Sequence, residues 1–215
     1  YNQRPAPAGG NIFKRWWWRY WQPKGANFPP VVVQVPDGDL LAIHAETLPE
    51  TFSELILSWD MAFKGLTDSD FVSGQVWGRA GAHKYLLDRD HRRMDFVETQ
   101  KAVRAMTAKW PYATAKLVED TANGPAIIAS LRHEVSGLMP VKPDGGKEAR
   151  AYAVSPEIEA GNVYLPHPQL YPWVDAMLHE LDVFPAGAHD DDVDALTQAL
   201  TRWIMRVRGV RIKTQ

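Results

Sequence analysis

Carboxylates at three separated places are the residues of this chain best suited to chemistry. Asp60 closes the apolar run Leu55-Ile56-Leu57-Ser58-Trp59, and Glu119 with Asp120 closes a second run that begins at Ala115. Asp190, Asp191, Asp192 and Asp194 crowd the start of a helical pattern near His189. Carboxylates held within a few ångströms raise each other's pKa and cannot all ionise cheaply. A bound divalent cation reverses that penalty. Hard oxygen donors suit Mg²⁺ or Mn²⁺, and a chain without cysteine has no thiolate alternative. Two such ions about 4 Å apart can activate water and stabilise the leaving oxygen of a phosphodiester. A carboxylate at a helix start is often only a cap or a dipole partner. That accounts for one or two of the acids between Asp190 and Asp194 and leaves the others repelling. Asp191 and Asp194 share a helix face, as do Asp190 and Asp194.

Elements must carry these acids to one place. Leu55–Asp60, Phe71–Trp77 and Lys84–Asp90 read as three strands joined by short turns, an antiparallel meander. Phe96, Val103, Met106 and Trp110 recur at helical spacing, and Pro111 ends that helix. Ala115–Asp120 is a further strand. Gly124-Pro125 opens a helix with Ile127, Ile128, Leu131 and Val135 on one face. Leu138–Val141 is a strand, and Gly161–Leu165 a short extended segment. A basic helical stretch surrounds Lys147 and Arg150; two amphipathic helices follow, over Leu170–Leu181 and from His189 onward. The fold class is therefore α/β: a mixed sheet, antiparallel in its first three strands and parallel beyond, flanked by helices. In sheets of this order the first and fourth strands are often neighbours, which sets Asp60 beside Glu119.

Composition bounds the rest. The 215 residues carry a net charge of −2, so affinity for a polyanion must come from local patches. The absence of cysteine excludes disulfides, thiolate metal sites and cysteine nucleophiles. No apolar run reaches the length of a membrane span. The chain begins at Tyr1 with a Pro-, Ala- and Gly-rich stretch to Gly10, which reads as linker from a longer protein. Trp16, Trp17, Trp18 and Trp21 stand among Lys14, Arg15 and Arg19. They suit either stacking on DNA or, the reading favoured here, burial against a core.

Taken together, Ser58-Trp59-Asp60, Val118-Glu119-Asp120-Thr121-Ala122-Asn123-Gly124 and His189-Asp190-Asp191-Asp192-Val193-Asp194-Ala195 resemble the nuclease signature of phage terminase large subunits. Tyr85-Leu86-Leu87-Asp88, Gly145-Gly146-Lys147, Ala160 to Pro166 and Phe184-Pro185 fall where that family has similar runs, over about residues 50 to 205. The resemblance implies an RNase H-like fold of the retroviral-integrase type. It also implies Mg²⁺- or Mn²⁺-dependent, two-ion cleavage of concatemeric double-stranded phage DNA during packaging. Asp60 matches the first catalytic acid, Glu119 the second and Asp191 the third. Asp60, Glu119, Asp190, Asp191 and Asp194 form the implied metal-ligand set. The extra Asp192 leaves open which of Asp190 and Asp191 is the inner ligand, and Asp120 is the reserve for Glu119.

The resemblance divides the chain into a linker and ATPase edge over residues 1–50, a nuclease domain over 51–207 and a basic tail over 208–215. The implied partners are double-stranded DNA, an N-terminal ATPase domain of the same protein, the portal and the small terminase subunit. No membrane is involved, and the implied location is the host cytoplasm. The ATPase needs a phosphate-binding Gly-x-x-x-x-Gly-Lys-[Ser/Thr] loop. Asp144-Gly145-Gly146-Lys147-Glu148 does not supply one. For DNA, Lys64, Lys147 and Arg150 are the favoured phosphate contacts; Arg89, Arg92, Arg93 and Lys142 are further candidates, with Arg206, Arg208, Arg211 and Lys213 in the tail. A junction resolvase using the same acids, and a catalytically silent DNA- or portal-binding module, are the competing readings.

Overall fold

A computed structural model describes residues 12–61, 70–121 and 123–207, without the side chains of Asp70 and of residues 205–207. Lys64, the stretch Tyr1–Gly10 and the tail beyond residue 207 lie outside the described residues. A 3₁₀ turn at Arg15–Trp17 leads into β1 (Arg19–Gln22), then β2 (Val31–Gln34), β3 (Leu40–Ile43) and β4 (Glu46–Thr47). Next come β5 (Glu54–Met61), β6 (Asp70–Ala80), β7 (His83–Met94), α1 (Phe96–Lys109), β8 (Ala115–Glu119), α2 (Gly124–Leu131) and β9 (Leu138–Val141). The last elements are α3 (Lys147–Glu159), β10 (Val163–Pro166), α4 (Trp173–Val183) and α5 (Asp191–Val207).

Among the described residues, eight strands form one sheet in the order β4-β1-β10-β7-β6-β5-β8-β9, while β2 and β3 pair as a separate hairpin. As expected, β5, β6 and β7 are antiparallel, and β8 joins β5 in parallel. The remaining pairs, β8 with β9, β7 with β10, β10 with β1 and β1 with β4, are also parallel. The helices cover both faces. Ile56, Leu86, Leu117 and Leu165 pack with α3, α4 and α5, whereas Leu57, Val72, Leu87 and Val118 pack with α1 and α2.

The expected division at residue 50 has no counterpart in this sheet, since β1 and β4 are two of its strands. Phe13, Trp18 and Tyr20 are fully buried, and the Trp21 indole donates to the Leu86 carbonyl at 2.7 Å. Trp16 and Trp17 lie half-buried against the same core. The tryptophans are thus packing residues. A four-residue strand flanked by a 3₁₀ turn and Pro23 is too short to show a period of its own.

One irregularity decides which side chains face α5. The β6–β7 register shifts between Val76 and Trp77, so that Val76 faces Asp88 while Trp77 faces Leu86. Leu87 and Asp88 therefore fall on the α1 side together: Asp88 accepts from the Trp110 indole at 2.8 Å and pairs with Lys109 at 2.7 Å. Beyond the bulge, Arg89 and His91 point to the α5 side. Without the extra residue the strict two-residue alternation would turn both away.

Candidate active site

Asp60 and Glu119 come together because their strands run side by side in the same direction. Trp59 is in register with Val118, so the next residue on each strand emerges on the α5 face, with the strands about 4.8 Å apart. Room for the Trp59 ring on the opposite face comes from Gly74, where a Cβ would stand 2.4 Å from the indole. Helix α5 crosses above. The Ser58 hydroxyl donates to the Ala195 carbonyl at 2.7 Å, and the Gln198 amide donates to Ser58 Oγ at 2.9 Å. These bonds set the second turn of α5 over the end of β5, one turn beyond Asp191 and Asp194.

Asp191 and Asp194 then face Asp60. The Asp60 side chain is buried, and burial first, then the charges of Asp194, Glu119 and Asp191, raise its carboxyl well above the ordinary range. Asp194 is buried too, and burial raises its carboxyl despite two cationic partners. Those partners come from α3, which lies alongside α5. Arg150 Nη2 is 2.6 Å from Asp194 and 4.0 Å from Glu119. Lys147 Nζ is 2.7 Å from both Asp190 and Asp194. Burial acts to lower the Lys147 pKa, but its hydrogen bonds to Asp190 and Asp194 carry it above its ordinary value.

The acids left open in the sequence differ in placement. Asp191 faces Asp60 and is buried, whereas the Asp190 side chain is 37% exposed and held by Lys147. Glu119 belongs to the cluster, and Thr121 donates to it at 2.7 Å. Asp120 is exposed just past the end of β8, its backbone N–H bonded to the Val141 carbonyl. Lys147 and Arg150, expected as phosphate contacts, lie against the carboxylates themselves. Of the further candidates for DNA, Arg89 is buried inside the protein and Arg92 pairs with Asp90 at 3.0 Å.

A family model described as the terminase RNaseH-like domain matches residues 57–202, a span that holds every one of these acids. The chain belongs to that family. Solved relatives share its fold. The large terminase nuclease of thermophilic phage G20c has 15% identity and a TM-score of 0.58, over 90% of this chain and 98% of that one. The same nuclease with bound magnesium has 17% identity and a TM-score of 0.57, over 91% and 99%. The large terminase of a second thermophilic bacteriophage has 11% identity and a TM-score of 0.55, over 73% of this chain. This chain spans only 41% of that longer protein. None of the curated proteins compared matches the chain.

Two further features of this terminase RNaseH-like domain were not legible in its sequence. The first is the fate of Asp192. It is fully buried and points away from Asp60, accepting from Arg89 Nε at 2.9 Å and 3.0 Å and from the Ser73 hydroxyl at 2.7 Å. A further bond from Arg89 Nη2 completes a two-pronged guanidinium–carboxylate pair. Burial acts to raise the Asp192 carboxyl, but Arg89, His91 and Ser73 bring it below its ordinary value. The second is the cap of α5. It comes from α4: the Glu180 carboxylate accepts the backbone N–H of Asp192 at 2.7 Å and of Val193 at 3.4 Å. Burial first, and the Asp192 charge next, push Glu180 up to about 7. The acids at the helix start are thus not its caps.

Among the described residues, His91, Glu180 and Asp192 form the group whose possible ligand atoms lie within 4.8 Å of one another. Its positive charge is already supplied by Arg89, so we read it as an internal ion pair. The Asp60 cluster is a separate and wider group of acids. It joins hard oxygen donors from β5, β8 and α5, and its central carboxylate is costly to ionise without added positive charge.

Gly124 leaves room for the Glu119 backbone, because a Cβ there would stand 1.9 Å from the Glu119 carbonyl oxygen. Gly124→Ala is expected to destabilise the domain by about 3 kcal/mol through overpacking against fixed backbone. Denaturant unfolding would measure it, and a change below about 0.5 kcal/mol would show that the turn yields easily.

Proposed function

We propose that this domain is a Mg²⁺- or Mn²⁺-dependent endonuclease that cuts double-stranded concatemeric DNA during phage genome packaging. The observation that carries the reading is the convergence of Asp60, Glu119, Asp191 and Asp194 on one face of the sheet, with Asp60 buried among like charges. Asp60, Glu119 and Asp191 are the proposed catalytic acids. Asp60, Glu119, Asp191 and Asp194 are the proposed inner ligands, with Asp190 at the outer edge. Bound there, two divalent ions would supply an activated water and charge stabilisation for the leaving 3′ oxygen.

The chain's own residues do the rest. Asp60, fixed by β5 and covered by α5, supplies a rigid, dehydrated carboxylate between the two flanks of the site. Glu119 is held in orientation by Thr121. Lys147 and Arg150 balance Asp190, Asp194 and Glu119, and their position at the rim suits them to receive a phosphate as cations fill the carboxylates. Lys64, close in sequence to Asp60, is proposed as a further phosphate contact. An ATPase domain of the same protein, the portal and the small terminase subunit are the proposed partners, and the host cytoplasm the proposed location. No helix among the described residues is long and apolar enough to cross a membrane.

Cleavage of supercoiled plasmid with Mn²⁺, Mg²⁺ or EDTA tests the activity. Nicking and linearisation with metal, and none with EDTA, is the expected outcome. Folded protein that cut under no metal would leave the reading without its central activity. Lys147→Glu together with Arg150→Glu is expected to weaken DNA binding and to reduce the salt slope by about 2. An unchanged slope would remove both from the DNA interface.

A further inference from the structure

Asp191 and Asp192 are neighbours with opposite tasks. Successive helical residues are turned by about 100°, so Asp192 faces β7 while Asp191 and Asp194 face Asp60. The apolar side of α5, from Val193 through Leu196, Ala199, Leu200 and Trp203, holds the helix to the core. Each such contact is non-directional. The polar bonds at the first turn are directional. Arg89 grips both oxygens of Asp192, Ser73 adds a bond at 2.7 Å, and Gln75 donates to the Asp192 carbonyl at 3.0 Å. Glu180 holds the two N–H groups at the helix start. His91 touches both acids, Nδ1 lying 3.5 Å from Asp192 and Nε2 3.6 Å from Asp191.

A buried ion pair is on average no more stabilising than apolar side chains of the same volume. Stability alone therefore gives little reason for this one. What it supplies is direction, at the turn that carries two of the proposed ligands. We propose that Arg89 and Asp192, with Glu180 and His91, are positioning residues: they fix the rotation of α5 and so the metal affinity of a site of which they are not ligands, His91 reaching it through Asp191. This rests on the metal-site reading above.

Two variants test it. Arg89→Lys keeps the charge and loses the two-pronged grip. The double variant Arg89→Gln with Asp192→Asn removes both charges, so neither is left buried alone. For each, circular dichroism melts without metal, Mn²⁺ binding by titration calorimetry, and kcat and KM for plasmid cleavage are measured. Outer partners of metal ligands typically change affinity or activity by about 10- to 100-fold. The expected result is Mn²⁺ binding weakened at least about 10-fold, with kcat reduced and KM for DNA unchanged, in protein that is folded at the assay temperature. A lower melting temperature with Mn²⁺ affinity and kcat within about twofold of wild type would overturn the inference alone, leaving a purely structural pair. Wild-type protein that bound no Mn²⁺ would overturn the metal-site reading and this inference with it.

Discussion

Asp60→Ala is expected to lower cleavage at least about 10³-fold, while Asp60→Asn raises the melting temperature of the metal-free domain. The two effects have one cause. Asp60 is 6% exposed and faces three other carboxylates, so its charged form is poorly tolerated in the fold. A carboxyl whose pKa is higher folded than unfolded contributes fully to stability below its unfolded pKa, and that contribution is lost as pH rises through the folded value. At neutral pH the metal-free wild type therefore carries a penalty that asparagine removes. Divalent cations remove the same penalty differently. Mn²⁺ is expected to raise the melting temperature of wild type, as ligands of the native state do, and to raise that of Asp60→Asn much less. Melting curves between about pH 5 and 8, with and without Mn²⁺, read all of this. If Asp60→Asn melted below wild type at every pH, the carboxylate would be a structural group and the site would have to be sought elsewhere.

The second large effect is on stability. Arg89→Ala leaves the fully buried Asp192 without its main counter-charge. Breaking a buried pair from one side costs about 3–5 kcal/mol, which in a domain of this size lowers the melting temperature by about 10 °C or more. Arg89 also lies over the Trp173 ring, 5.6 Å from its centroid, so the truncation loosens α4 as well. The exposed Arg104–Glu134 pair, in contact at 2.7 Å, makes the contrast. Arg104→Ala is expected to change the melting temperature very little, because water and salt screen a surface pair. Calorimetric melts of the two variants side by side decide it. Equal effects would mean that the Arg89 pair is better solvated than its burial implies.

The strands that carry Asp60 and Glu119 were legible as apolar runs that stop at acids, and the helices by their period. Asp60 ends an apolar run, and Asp95, which precedes α1, forms a capping box with Glu98. The N-terminal strands were not legible. β1 and β4 are short; β1 takes its place in the sheet from β10, far along the chain, and β4 pairs with β1. The last helix was legible as a helix and as an acidic start. Which acid does what was not, because four like residues carry no mark of direction in the sequence.

By itself, then, the sequence determined the element types from Leu55 onward, the mixed sheet, and the three places that supply its carboxylates. These follow from local periodicity and from charge that must be compensated. The resemblance already favoured Glu119 over Asp120; the tertiary structure supplies the reason it lies beside Asp60, since parallel register sets which side chain emerges there. It alone decided that Asp191 faces the site while Asp192 turns to Arg89. That outcome depends on the bulge at Leu87, which puts Arg89 and His91 on the α5 face. A single extra residue in a strand reverses every later side chain, and nothing in a linear pattern records where the partner strand fails to follow.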